Sequence, residues 1–173
     1  MTGKRKLVIA SGYFNPVHSG HISHFKDAKK LGDRLVVIVN NDAQVKVKGH
    51  FPFMREKERQ EIVGSIKYVD LVYASKDKDR SVSKTIKEIH SLLSKDYSQF
   101  IFANGGGRKK ADLPEYKICE NLGIKMVFGV GGRKKQSSSW LIQNTQKCKT
   151  HNEDLKYCKK CLEEKKNSRP LSK

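Results

Sequence analysis

Residues 6–32 read KLVIASGYFNPVHSGHISHFKDAKKLG, and the change of pattern inside this stretch decides the fold. Leu7 to Ala10 form a short apolar, partly β-branched run, the mark of a buried strand. From Ile22 the apolar residues fall at helical spacing instead (Ile22, Phe25, Ala28, Leu31), and Gly32 supplies a stop. Between strand and helix sit Gly12, Pro16, Gly20 and two histidines three apart, His18 and His21. A helix N-terminus presents unpaired N–H groups and partial positive charge, so a glycine-rich turn at that place is suited to an anion, above all a phosphate. Gly12 lets the backbone come close, Gly20 makes room for the second histidine, and His18 and His21 stand one helical turn apart. A third histidine, His24, extends the series to H-x-x-H-x-x-H, but three such steps drift around a helix and no carboxylate lies beside them. Phosphate is therefore favoured over metal here, and His24 is expected to be dispensable.

The same alternation continues along the chain. RLVVIVNND is apolar on consecutive positions, as in a parallel strand covered on both faces. A basic loop then precedes MREKERQEIVGSI, which reads as a helix, and VDLVYAS, which reads as a strand. SVSKTIKEIHSLL, QFIFANGGG, EYKICENLG and IKMVFGVGG then alternate helix, strand, helix, strand, and SSSWLIQNTQK closes as a helix opened by serines. Repeated βαβ units predict an α/β, Rossmann-like, doubly wound parallel sheet, with ligands beyond the carboxyl ends of the strands. Residues 11–21, 40–48, 104–108 and 131–139 fall there. Composition shifts near Ile142, so the expected division is a domain over 1–142 and a short basic tail over 143–173.

Lys and Arg number 36 against 18 acids, a formal net charge of +18, which favours polyanionic partners. Aromatic residues are only 8% and no base-stacking motif is visible, which weighs against nucleic acid. No apolar run approaches the ~20 residues that span a bilayer, so no membrane partner is expected. Three of four cysteines crowd the tail, unlike a secreted disulfide framework, and the expected location is cytoplasmic.

SGYFNPVHSGHI resembles the signature of the cytidylyltransferase-like nucleotidylyltransferases, whose hallmark is an H-x-G-H turn after the first strand. VKGHFPFMREKERQEIVGSIKYVD is similar to the family's lysine loop and following helix, and SSSW stands where the family opens its last helix with Ser/Thr. The resemblance implies transfer of a nucleotidyl group from a nucleoside triphosphate to a small phosphorylated acceptor, with release of pyrophosphate. CMP from CTP is the leading form and ATP with a sugar 1-phosphate the nearest alternative. A nucleic-acid-binding protein on the same fold is a third. It also implies Mg²⁺, carried by triphosphate chemistry rather than by a visible ligand cluster, and a homodimer. Asp42 could help with the ion, but a solvated loop aspartate is the plainer account.

On this resemblance His18, His21 and Lys48 are the catalytic candidates, the histidines supplying charge or hydrogen bonds to the transferring phosphoryl group. Gly12, Tyr13 and Phe14 would contribute through the turn backbone, and Lys46 is the runner-up to Lys48. Arg59, Asn104, Gly105 and Arg133, with Ser137, Ser138 and Ser139, complete the expected nucleotide and phosphate contacts. Asn15 stands where aspartate is commoner and Lys67 where arginine is usual, leaving only a point charge.

In the tail, Cys148, His151, Cys158 and Cys161 form C-x₂-H-x₆-C-x₂-C, the number and pairing that tetrahedral Zn²⁺ takes. Zinc would be structural, ordering a segment poor in apolar residues. The competing account is a helix in which Leu155, Cys158 and Leu162 share one apolar face.

Overall fold

The protein was studied as a computed structural model that describes residues 5–106, 113–133 and 136–146. Cys148, His151, Cys158 and Cys161 lie outside the described residues. In chain order the elements are β1 (Lys6–Gly12), α1 (Ser19–Lys29), β2 (Arg34–Val39), α2 (Asp42–Val47), α3 (Glu56–Gly64) and β3 (Leu71–Ala74). There follow α4 (Ser83–Leu93), β4 (Gln99–Gly105), α5 (Tyr116–Asn121), β5 (Lys125–Val130) and α6 (Ser138–Gln146).

The five strands form one parallel sheet in the order β3-β2-β1-β4-β5. This is the doubly wound Rossmann-like arrangement that the βαβ pattern predicts. Register runs from Leu7 opposite Arg34 to Gly12 opposite Val39 between β1 and β2, and from Lys6 opposite Gln99 to Ile9 opposite Phe102 between β1 and β4. The order in which successive strands are added reverses at β1, so the crevice between the carboxyl ends of β1 and β4 is the place for a ligand.

Alternate residues of the central strands feed two separate cores. Leu7, Ile9, Val36 and Ile38 pack with Ile86 and Ile89 of α4 and with Cys119 and Ile124. Val8, Ala10, Leu35, Val37 and Val39 face the other way, onto Phe25 and Ala28 of α1 and Val63 of α3. Burial on both faces is why these strands read as continuous apolar runs.

Two local readings change. The segment between RLVVIVNND and MREKERQEIVGSI, expected as a basic loop, carries most of α2. Asn41 is its N-cap: its Oδ1 accepts the Gln44 N–H at 2.9 Å, while Gln44 Oε1 accepts the Asn41 N–H at 3.1 Å. That reciprocal N-x-x-Q pairing outweighs a six-residue helix's weak apolar period. His24, expected to be dispensable, is buried, with Nδ1 3.0 Å from the Val130 carbonyl oxygen, a distance that calls for the proton on Nδ1. It ties α1 to the end of β5.

The chain divides into two units between Gln136 and Ser137. In the second, Ser137 caps α6: its Oγ accepts the Trp140 N–H at 3.3 Å and lies 3.1 Å from Ser139 Oγ. No helix among the described residues is long and apolar enough to cross a membrane.

Candidate active site

The site begins where β1 ends. Phe14 adopts φ of 51°, a left-handed conformation that a bulky residue rarely takes, and its ring is buried. The ring folds back over Gly12, where a Cβ would stand 2.7 Å from it, so only glycine fits at the end of this strand. The same ring meets His21 edge-on, with centroids 4.9 Å apart.

His18 is the N-cap of α1, in extended backbone, and its ring stacks on that of His21 with centroids 3.7 Å apart and planes 21° off parallel. A Cβ on Gly20 would sit 3.0 Å from the His18 ring, which is the steric reason for glycine inside H-x-G-H. The His18 main-chain N–H donates to His21 Nδ1 at 3.2 Å. In the neutral ring the proton is thereby placed on Nε2. Burial first, and then the neighbouring His18, His24 and Lys48, lower the His21 pKa to about 3. His21 is therefore a neutral N–H donor at physiological pH.

Lys48, at the C-terminus of α2, carries its Nζ 4.3 Å from the centre of the Tyr13 ring. Its charge is felt at His21, which puts lysine, histidine and turn at one locus. Lys46 is exposed on α2.

Arg59 occupies a place that the sequence does not suggest. It is wholly buried, and its guanidinium faces inward. Nη1 donates to the Tyr13 and Asn40 carbonyls at 2.7 and 2.6 Å, Nε to the Met54 carbonyl at 3.0 Å, and Nη2 to Asp42 Oδ1 at 2.6 Å. In this geometry it braces the turn from beneath instead of reaching a phosphate. Asp42 likewise is no solvated loop residue: it holds Arg59 and accepts the Glu56 N–H at 3.3 Å.

Asn15 is a further site residue whose task is invisible in sequence. Buried beside Phe14, it accepts the Phe53 and Met54 N–H groups through Oδ1 at 2.7 and 3.1 Å and donates through Nδ2 to the Phe51 carbonyl at 2.9 Å. An aspartate could not make that last bond. The amide in place of the commoner aspartate thus fastens the 51–54 loop to the turn.

Asn104 and Gly105 end β4, next to β1, on the ligand side of the sheet. Asn104 is buried, with Nδ2 3.4 Å from the Phe102 carbonyl. Arg133 is exposed beyond β5. Ser137, Ser138 and Ser139 belong to the second unit. Among the described residues no group of three or more His, Cys, Asp or Glu side chains is placed to hold a metal ion.

A family model described as cytidylyltransferase-like matches residues 9–152. The chain belongs to the cytidylyltransferase-like family. Among similar members, the bifunctional protein HldE of Desulfatibacillum aliphaticivorans is 31% identical over 81% of this chain and 27% of its own length. The FAD synthase of Thermoplasma acidophilum is 37% identical over 53% of this chain and 64% of its own. The chain therefore spans about a quarter of that HldE and under two thirds of that FAD synthase. A solved structure, the lipopolysaccharide core biosynthesis protein of Thermoplasma volcanium, aligns with TM-score 0.54 and 26% identity, covering 77% of this chain and 99% of that one.

Proposed function

We propose that this cytidylyltransferase-like chain is an enzyme that transfers a nucleotidyl group from a nucleoside triphosphate to a phosphate monoester. The observation that carries the reading is the neutral His21, with Nδ1 tied to the His18 backbone and Nε2–H left as donor at a helix N-terminus beside Lys48. An acceptor phosphate has its second pKa near ~6, so it is mostly dianionic at neutral pH and needs no strong base. Its oxygen attacks the α-phosphorus. The new P–O bond forms as the bond from the α-phosphorus to the bridging oxygen breaks, and pyrophosphate leaves with that electron pair. What the protein must supply is alignment, together with donors for the charge on the pentavalent centre and leaving group. His18, His21 and Lys48 take that role, with the turn backbone from Gly12 to Phe14. Magnesium arrives with the triphosphate as part of the substrate. Lys46, Asn104, Gly105, Arg133 and Ser137 to Ser139 remain candidate contacts to nucleotide or phosphate.

The relatives named FAD synthase favour adenylyl transfer, since FAD is by composition an adenylyl group joined to a flavin phosphate. ATP is therefore placed ahead of CTP, reversing the order that the sequence suggests. The second reading, CTP, is favoured by the family resemblance of the turn and lysine loop. Pyrophosphate release should be measured with ATP and with CTP against flavin mononucleotide, a sugar 1-phosphate and glycerol 3-phosphate. Release with ATP and one acceptor is the expected result. Release with CTP alone would reverse the nucleotide choice, and no release from any pair would overturn the enzyme reading. The homodimer is checked by light scattering of the full chain.

A further inference from the structure

The resemblance places Tyr13 at the site only through its backbone. The structure gives its side chain a task as well. The Tyr13 ring lies under Lys48 Nζ at 4.3 Å from the centroid, inside the range of a cation–π contact. The two residues come from different elements, the turn after β1 and the end of α2, and Arg59 fixes both: its Nη1 holds the Tyr13 carbonyl and its Nη2 holds Asp42 at the start of α2. The other end of α2 is held by Arg80, whose Nη2 donates to the Val47 carbonyl at 3.1 Å, one residue before Lys48. Backbone anchors thus set the separation that the ring and the ammonium then close.

We propose that the Tyr13 ring is a positioning residue for Lys48, a neutral aromatic rest that holds the ammonium beside the H-x-G-H turn for a triphosphate oxygen. A lysine on a four-carbon stem samples many rotamers, and ordering it on binding costs affinity. A ring face restricts that freedom without adding a negative charge of its own beside the ammonium. The proposal rests on the nucleotidylyltransferase reading for its ligand but not for its geometry.

Two measurements separate those dependences. In the ligand-free protein, the Lys48 side-chain protons should show an upfield ring-current shift in the NMR spectrum, abolished in Tyr13→Leu. In calorimetric titrations with magnesium–ATP and with magnesium–CTP, Tyr13→Leu should weaken binding about threefold to tenfold, in line with a partly exposed cation–π contact. Tyr13→Phe should lose least, and phenylalanines at position 13 carrying one to three fluorines should lose progressively more as the ring face becomes less negative. In a Lys48→Ala background the Tyr13→Leu change should have no further effect. An absent ring-current shift, a flat fluorine series, or an equal loss with and without Lys48 would each overturn the proposal. If the unmutated protein binds neither nucleotide, the functional reading fails and takes the phosphate-aiming role with it, while the shift still reports the contact.

Discussion

Around His21 burial, stacking and a backbone hydrogen bond act in one direction, toward a neutral ring with its proton on Nε2. His21→Ala should lower kcat on the order of 10²–10³-fold, the loss typical of one transition-state donor, with folding retained. His18→Ala should lower it as well, and steady-state turnover of the full chain is the check; near-normal kcat in both variants would sink the site. His24→Ala should behave differently, lowering Tm more than kcat, because it strands the Val130 carbonyl in the core. The depressed His21 pKa also carries a sign for stability. Between about 3, its value in the fold, and 6.5, its ordinary value, the unfolded chain binds more proton than the folded one. Stability from this group is full above 6.5 and falls as pH drops toward 3. Thermal unfolding followed from about pH 7 to about pH 4 should show the slope, and His21→Asn should flatten it.

The H-x-G-H turn, α2, the 51–54 loop and α3 are held as one assembly by two residues, Arg59 and Asn15, through bonds to backbone groups and to the Asp42 carboxylate. Arg59 lies in α3 yet serves three other segments, and its removal leaves Asp42 and three carbonyls short of a donor. Arg59→Ala should cost about 2–4 kcal/mol, because three carbonyls lose a charged donor while the partly exposed Asp42 can be rehydrated. Arg59→Lys should recover only part, since one ammonium cannot reproduce the planar fork. Denaturant unfolding gives the stability, and a loss below about 1 kcal/mol would contradict the bracing role. The sequence places Arg59 in a helix and at a family-like spacing, but spacing does not tell whether a guanidinium points out to a phosphate or in to carbonyls. Helix α2 was equally hidden by its charge, although Asn41 and Gln44 stood three apart as a capping pair.

On the scale of the molecule, the packing of helices onto both faces of one parallel sheet follows from central strands that are apolar on consecutive positions. The remaining whole-chain question is the tail. Elemental analysis of protein purified without a histidine tag should find about one zinc per chain if Cys148, His151, Cys158 and Cys161 act as a tetrahedral set. A metal-free preparation would favour the apolar helical face of Leu155, Cys158 and Leu162.

The sequence by itself determined the alternation of strand and helix, the parallel sheet, and the H-x-G-H turn, because period, glycine placement and helix-end chemistry are local and written in consecutive residues. It also contained the charge pattern around Lys48 and, through the glycine that follows it, the preference for Lys48 over Lys46. Only the tertiary structure decided which groups face which. Arg59 turned inward because carbonyls from Tyr13, Asn40 and Met54, far apart in the chain, converge on it. His24 became a core residue because β5, more than a hundred positions later, brings the Val130 carbonyl to its Nδ1. Likewise His21 is neutral because packing removes water from its ring, and burial is a property of the assembled fold rather than of any stretch of chain.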